Sequence, residues 1–220
     1  MDTLSTDLLL WARGPGFMLA ATLFLLGLCW RLLEIYSLGP PRDLAPPAQR
    51  RGSGLRTLLL RSMPERSTLR RDPITYLAGY LFHIGFAVTL LLFAPHIQLF
   101  HNLFGISWPA LPSVVIDAVT VMTILTLLLV ALRRWFNPVR RLLSGFDDWL
   151  SLLLTLLPLI TGYITLHHLF ADYAFWLALH ILSAELLLVL LPFTKLLHMV
   201  TLFFSRWYTG ERYAKRGVKV

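Results

Sequence analysis

Five apolar stretches, near 14–36, 74–100, 113–132, 149–167 and 173–204, constrain this chain more than any other feature. Each has about 20 residues or more, and at about 1.5 Å of rise per helical residue each crosses a hydrocarbon core of roughly 30 Å. Inside a bilayer every backbone N–H and C=O must find its partner within the segment, so runs of this length span as helices. The expected fold is therefore all-α: an integral membrane five-helix bundle, one domain over 1–220. Composition agrees, with 56% hydrophobic and 15% charged residues and a mean hydropathy of +0.66, where a soluble domain carries about a quarter charged residues. A soluble enzyme, a secreted disulfide scaffold and a disordered tail are excluded.

The net charge of +8 is a topological label rather than a nucleic-acid footprint. Arg42, Arg50, Arg51, Arg56, Arg61, Arg66, Arg70 and Arg71 lie between the first two stretches, and Arg133, Arg134, Arg140 and Arg141 between the third and fourth. Lys195, Arg206, Arg212, Lys215, Arg216 and Lys219 belong to the end of the chain. Segments 101–112 and 168–172 hold no lysine or arginine. The positive-inside rule then predicts an external N-terminus, a cytoplasmic basic loop over 37–73 and a cytoplasmic C-terminus. Asp2 and Asp7 precede the first stretch where a signal peptide would carry positive charge, so it reads as a retained anchor. In the basic loop, Pro40, Pro41, Pro46 and Pro47 predict an irregular start and 55–63 an amphipathic segment. Anionic lipid head groups and a cytoplasmic partner protein are equally good readings of its surface. The sequence contains no inverted repeat of the kind common in transporters.

One cysteine, Cys29, supports neither an internal disulfide nor a cysteine-ligated zinc or iron–sulfur centre. Histidine is the remaining ligand type, and there are seven, at 83, 96, 101, 167, 168, 180 and 198. An intramembrane histidine is costly enough to signal function by default, although a single one can simply bond a neighbouring helix. Depth favours a ligand role. His83 lies about 11 residues, roughly 16 Å, inside the boundary near Asp72, and His198 about 8 residues, roughly 12 Å, inside that near Arg206. His180 and His96 stand about 7 and 4 residues inside the opposite boundary. In an unbroken helix, the 18 residues from His180 to His198 make five full turns at about 3.6 residues per turn, placing both on one face.

Two histidines on each of two helices, matched by level, suit two stacked haems. A zinc site would want three or four ligands converging at one point, whereas two axial imidazoles saturate haem iron and leave an electron carrier buried among Leu, Phe and Val. No Cys-x-x-Cys-His is present, which excludes covalent c-type attachment.

The stretch Leu81-Phe82-His83-Ile84-Gly85 resembles the helix-2 motif of the gamma, cytochrome b subunit of membrane-bound respiratory nitrate reductases. Leu179-His180 through Leu191-Pro192-Phe193-Thr194-Lys195-Leu196-Leu197-His198 is similar to that family's helix-5 motif, including the spacing of its histidines. Membrane cytochromes of sulfur-metabolising respiratory complexes share the outline. The resemblance implies two b haems, with His83 and His198 as the cytoplasm-proximal pair and His180 as a ligand of the distal haem. The family's second helix-2 histidine follows the first by ten residues, where this chain has Phe93. His96 is the favoured substitute, although 13 residues leave it about 140° short of whole turns from His83. A kink at Pro95 would have to re-aim it. His101, or a single-haem protein, is the alternative.

The resemblance further implies quinone or quinol as substrate, a cytoplasmic iron–sulfur subunit and a catalytic subunit as partners, and residence in a bacterial or archaeal inner membrane. Electron flow in either direction would use the same haem ladder. A haem-free membrane anchor and a proton-coupled transport subunit are the competing readings. Among the other polar groups, His167, His168 and Asp172 read as interfacial, Asp117 as a snorkelling group, and Glu185 as a proton relay or a protonated interhelical contact. Arg133, Arg134 and Lys195 suit haem propionates or lipid phosphate.

Overall fold

The computed structural model describes residues 3–39 and 54–218. Among them every regular element is a helix: α1 (Thr3–Trp11), α2 (Phe17–Leu38), α3 (Gly54–Leu60), α4 (Arg66–Arg71), α5 (Pro73–Leu92), α6 (Ala94–Phe104), α7 (Ser113–Phe136), α8 (Pro138–Leu142), α9 (Phe146–Leu166), α10 (Tyr173–Leu190) and α11 (His198–Lys215). Five are long and apolar enough to cross a membrane, counting α1 and α2 as one rod over Thr3–Leu38. That rod begins earlier than residue 14 because Leu4, Leu8, Leu9 and Leu10 extend the apolar run. Pro15, which cannot donate a backbone N–H, lies in the π-helical turn Ala12–Gly16 that joins its halves. Pro40, Pro41, Pro46 and Pro47, with Arg42, Arg50 and Arg51, lie outside the described residues, as does Lys219. The amphipathic segment contains α3, whose Thr57 is buried while Leu55 and Leu59 are exposed, and α3 packs on α11.

Two expected spans are broken. The second, expected over 74–100, stops at Leu92: Phe93 is extended (φ −85°, ψ 127°), and α6 starts afresh with Pro95 in its first turn. Pro95 brings no N–H for the carbonyl four residues back, and that oxygen, on Leu91, accepts the Trp108 indole N–H at 2.6 Å. The Leu92 carbonyl likewise accepts from the Leu111 amide at 3.0 Å. The fifth span, expected over 173–204, breaks into two short 3-10 turns, Leu191–Phe193 and Lys195–Leu197, around an extended Thr194 (φ −118°, ψ 177°). Pro192 interrupts the α10 ladder, and the Thr194 hydroxyl caps the Leu196 amide. The Thr194 conformation cancels the expectation of five unbroken turns between His180 and His198.

The packing is that of a membrane bundle. Many side chains buried between helices are small or hydroxylated, including Ala78, Ala178, Thr120, Thr123, Thr161, Thr165 and Ser183, beside a few large ones such as Ile116 and Leu154, while Met18, Leu26, Trp30 and Leu125 face outward. Each threonine hydroxyl bonds a carbonyl of its own helix, as Thr123 does to Val119 (2.6 Å), so burial leaves it satisfied. Small residues let backbones approach where lipid offers no hydrophobic gradient. A Cβ at Gly85 of α5 would overlap the Thr123 hydroxyl of α7.

Neighbours run in an arc: α5 packs on α7, α7 on α9, α9 on α10, and α10 on α1 and α2. Among the described residues α5 and α10 do not pack against each other. The bundle therefore has a cleft between these two helices. One end of the bundle is basic, with Asp72, Arg133, Arg134, Arg140, Asp148 and Lys195 interlinked; Asp172 and Ser5 mark the other.

Candidate functional site

The histidines meet across the cleft. At the level nearer the basic end, His83 of α5 faces His198 at the start of α11, with ring centroids 6.0 Å apart and planes at 75°. At the other level His96 of α6 faces His180 of α10, 6.1 Å apart and nearly parallel at 17°. His83 and His198 are exposed along the cleft; His96 and His180 are half-buried. His96 stands opposite His180 on α6, beyond the break at Phe93, whereas in an unbroken helix it would point about 140° away from the His83 face. His101 is exposed on α6, and no ring contact joins it to another histidine among the described residues.

Each of the four rings is held by a backbone carbonyl at Nδ1. His83 reaches Gly79 (2.7 Å), His96 reaches Thr89 (3.0 Å), His180 reaches Pro158 (3.0 Å) and His198 reaches Lys195 (2.7 Å). A carbonyl only accepts, so the proton is assigned to Nδ1 and the lone pair to Nε2 in all four. The helix breaks help to supply the acceptors. Thr89 would ordinarily bond the amide four residues on, at Phe93, where α5 ends; its carbonyl accepts from His96 instead. No hydrogen bond among the described residues engages Nε2 of any of the four. The cleft thus holds, at two levels, a pair of imidazoles whose Nδ1 atoms are fixed by backbone carbonyls. No group of three or more His, Cys, Asp or Glu side chains suited to a metal ion occurs among the described residues.

Close packing fixes the His180 ring from behind. Gly162 of α9 leaves room for it, since a Cβ there would lie 2.9 Å from His180 Cε1. Thr161 adds a hydroxyl 3.4 Å from Nδ1 and bonds Ser183 at 3.1 Å.

Most of the remaining polar groups have partners that sequence spacing does not reveal. His167 Nε2 stands 3.3 Å from Asp117, and its ring lies 4.3 Å from that of Tyr163. Tyr163 also lines an open apolar groove of about 310 Å³ between α7 and α9, with Val121, Ile124, Leu125, Ile160 and Ile164. His168, in left-handed conformation (φ 48°), stacks on Tyr173. Asp172 accepts from the Ser5 hydroxyl (2.5 Å) and the Phe175 amide (3.0 Å), bonds that hold its carboxyl below the ordinary range. Glu185 is buried on α10 and its Oε1 has no hydrogen-bond partner among the described residues.

At the basic end the cations are engaged by carboxylates. Arg133 (3.0 Å) and Arg140 both bind Asp72, while Arg134 (3.0 Å) and Lys195 (2.7 Å) bind Asp148. Burial pushes the Asp72 carboxyl up, but bonds from Thr75 and Arg140 outweigh it and leave the pKa below 3.8. Neither acid stands out in the sequence, because Lys195, Arg133 and Arg140 are 47 to 68 residues from the carboxylates they bind.

A protein of Nitratidesulfovibrio vulgaris strain Hildenborough is 43% identical over 150 residues, 67% of this chain and 66% of the relative. The match therefore spans just under two thirds of that relative's own length, and its name, "Protein", states no function. No family model and no solved structure matches the chain.

Proposed function

We propose that this protein is the haem-b membrane subunit of a respiratory oxidoreductase complex, carrying electrons between the quinone pool and a cytoplasmic iron–sulfur partner that serves a catalytic subunit. The observation that carries the reading is the spacing of the two histidine pairs. An imidazole nitrogen binds a transition metal at about 2.0 Å and its ring centre lies about 1.1 Å behind it, so two imidazoles with ring centres roughly 6 Å apart are spaced to share one metal ion between them. The pairs stand at 6.0 and 6.1 Å. Each of the four rings also carries its lone pair on Nε2, and α5 and α10 leave the cleft between them unpacked.

His83 and His198 would hold one haem, and His96 and His180 the other. Bound there, each haem would supply a reversible one-electron couple. The chain's own part is to fix ring tautomer and orientation through the Nδ1 bonds and to wall the cleft with α7 and α9. The groove between α7 and α9, apolar along its length and adjoining the Asp117–His167 pair through Tyr163, suits a lipid-soluble quinone. The basic end faces the cytoplasm in this reading, with the N-terminus outside, and the membrane is a bacterial or archaeal inner membrane.

The decisive experiment is the reduced-minus-oxidised optical spectrum of the purified chain with a haem count. Two b-type haems per chain are expected, and a chain without haem bands would refute the reading. Buried Glu185, whose Oε1 has no hydrogen-bond partner among the described residues, favours a second reading, a haem-free proton-handling subunit, which that spectrum would then support.

A further inference from the structure

We propose that Asp148 is a positioning residue for His198, acting through Lys195. The proposal rests on His198 being a haem ligand, and it concerns what aims that ring. His198 is the first residue after the break in the fifth span, so no preceding α-helical turn orients it. Its Nδ1 bond goes to the carbonyl of Lys195, within the break. The ring is therefore no better placed than Lys195 is.

Lys195 is anchored from outside its own segment. Its ammonium donates to Asp148 Oδ2 at 2.7 Å, and its amide to Asp147 Oδ1 at 3.4 Å, both in the first turn of α9. Asp148 is itself fixed from two further directions: Arg134 of α7 binds Oδ1 at 3.0 Å, and the Gly145 amide donates to Oδ2 at 3.0 Å. The Asp148 side chain is only 15% exposed, while that of Lys195 is 57% exposed. The carboxylate is thus the rigid member and the lysine the arm it holds, and charge-assisted bonds of this kind are the stronger class. A chain of contacts runs from α7 through the α9 cap and the Lys195 backbone to the imidazole at the 75° pair.

Among the described residues the His96 and His180 rings make no contact with Asp148; they bond Thr89 and Pro158. A defect at Asp148 should therefore reach one level and spare the other.

The test uses the full-length, haem-loaded chain with variants D148A, D148N, D148E, K195M and D148A/K195M. It reads potentiometric titration and low-temperature electron paramagnetic resonance, with thermal stability recorded alongside. D148A and K195M are each expected to shift the signal and potential of the haem at His83 and His198 while leaving the other haem unchanged. The double variant should do no more than either single one, because both break the same link, and D148E should restore the wild-type signal. D148N keeps an acceptor for the Gly145 amide and covers the case in which D148A does not fold. An unchanged signal in D148A and D148N, an equal shift of both haems, or additive effects would overturn the proposal. Absence of haem from the wild-type chain would refute the parent reading instead. In that event, histidine ¹⁵N spectra of the haem-free chain read the His198 Nδ1–H directly, and its insensitivity to D148A would overturn the positioning role by itself.

Discussion

Gly162→Ala tests whether the His180 ring is a ligand held in a fitted seat. The added methyl would lie 2.9 Å from Cε1 and 3.1 Å from Nδ1 of His180, against an optimum of about 3.5–4.0 Å for carbon contacts. The ring must retreat by roughly 0.5–1 Å, and α9 cannot share the displacement because Thr161 and Pro158 bind the same imidazole. The 3.0 Å Nδ1 bond to Pro158 would stretch towards loss. Overpacking of this kind costs about 1–3 kcal/mol. Alanine in place of glycine returns about 1 kcal/mol of helix propensity. Global stability should therefore change little while the ligand moves, and a cost of 1–3 kcal/mol on the bound state weakens affinity at that level by about 5- to 150-fold. Haem titration of the apo-protein, followed optically, should find one haem per chain bound as in wild type and the second more weakly. Two haems bound with wild-type affinity in G162A would refute the idea that Gly162 seats a ligating ring.

Several other outcomes follow from the same geometry. His96→Ala should remove the haem at His180, whereas His101→Ala should leave both; haem counts on the purified variants decide between the two residues. The haem at the 75° pair should give a highly anisotropic low-spin resonance and that at the 17° pair an ordinary rhombic one, so two identical signals would contradict these ring orientations. Because the folded pKa of Asp72 is lowered, its ionised form stabilises the protein fully above the ordinary value of 3.8, and this contribution is lost as pH falls through the lowered value. Asp72→Asn should therefore reduce thermal stability at neutral pH, on the order of 1 kcal/mol given its partial exposure, with the two melting curves converging in acid. A constant difference across that pH range would show that Asp72 acts through something other than its charge.

The helices were legible in the sequence because an apolar run of spanning length admits one regular structure in lipid. Their ends were less legible. The polar link between Arg134, Asp148 and Lys195 and the pairing of Asp117 with His167 join residues far apart in the chain, and composition carries no trace of such contacts. The pairing of His83 with His198 was read from depth, and depth survives a local break. The common face of His180 and His198 was read from an unbroken 18-residue spacing, and the extended Thr194 removes that premise even though both rings still face the cleft. The lysine and arginines expected to meet propionates or lipid phosphate also bond Asp72 and Asp148.

Both broken spans break just before a cleft histidine, and for the span of α5 and α6 this has a geometric and energetic reason. Successive residues of a helix turn by about 100°, so two rings 13 residues apart on one rod cannot both aim into the same cleft. Leaving the helix frees carbonyls, and in α5 these are taken by Trp108, Leu111 and the His96 ring itself. Pro95 disfavours the unbroken alternative by about 3 kcal/mol, but the three donors act in the same direction. Were the helix to run through, each of them would lose its acceptor, at about 1 kcal/mol or more apiece where water is scarce. Pro95→Ala should therefore keep the break and retain both haems, whereas Pro95→Ala with Trp108→Phe should lose affinity at the His96 level. Loss of that haem from P95A alone would mean that the proline, and not the network of donors, sets the direction of His96.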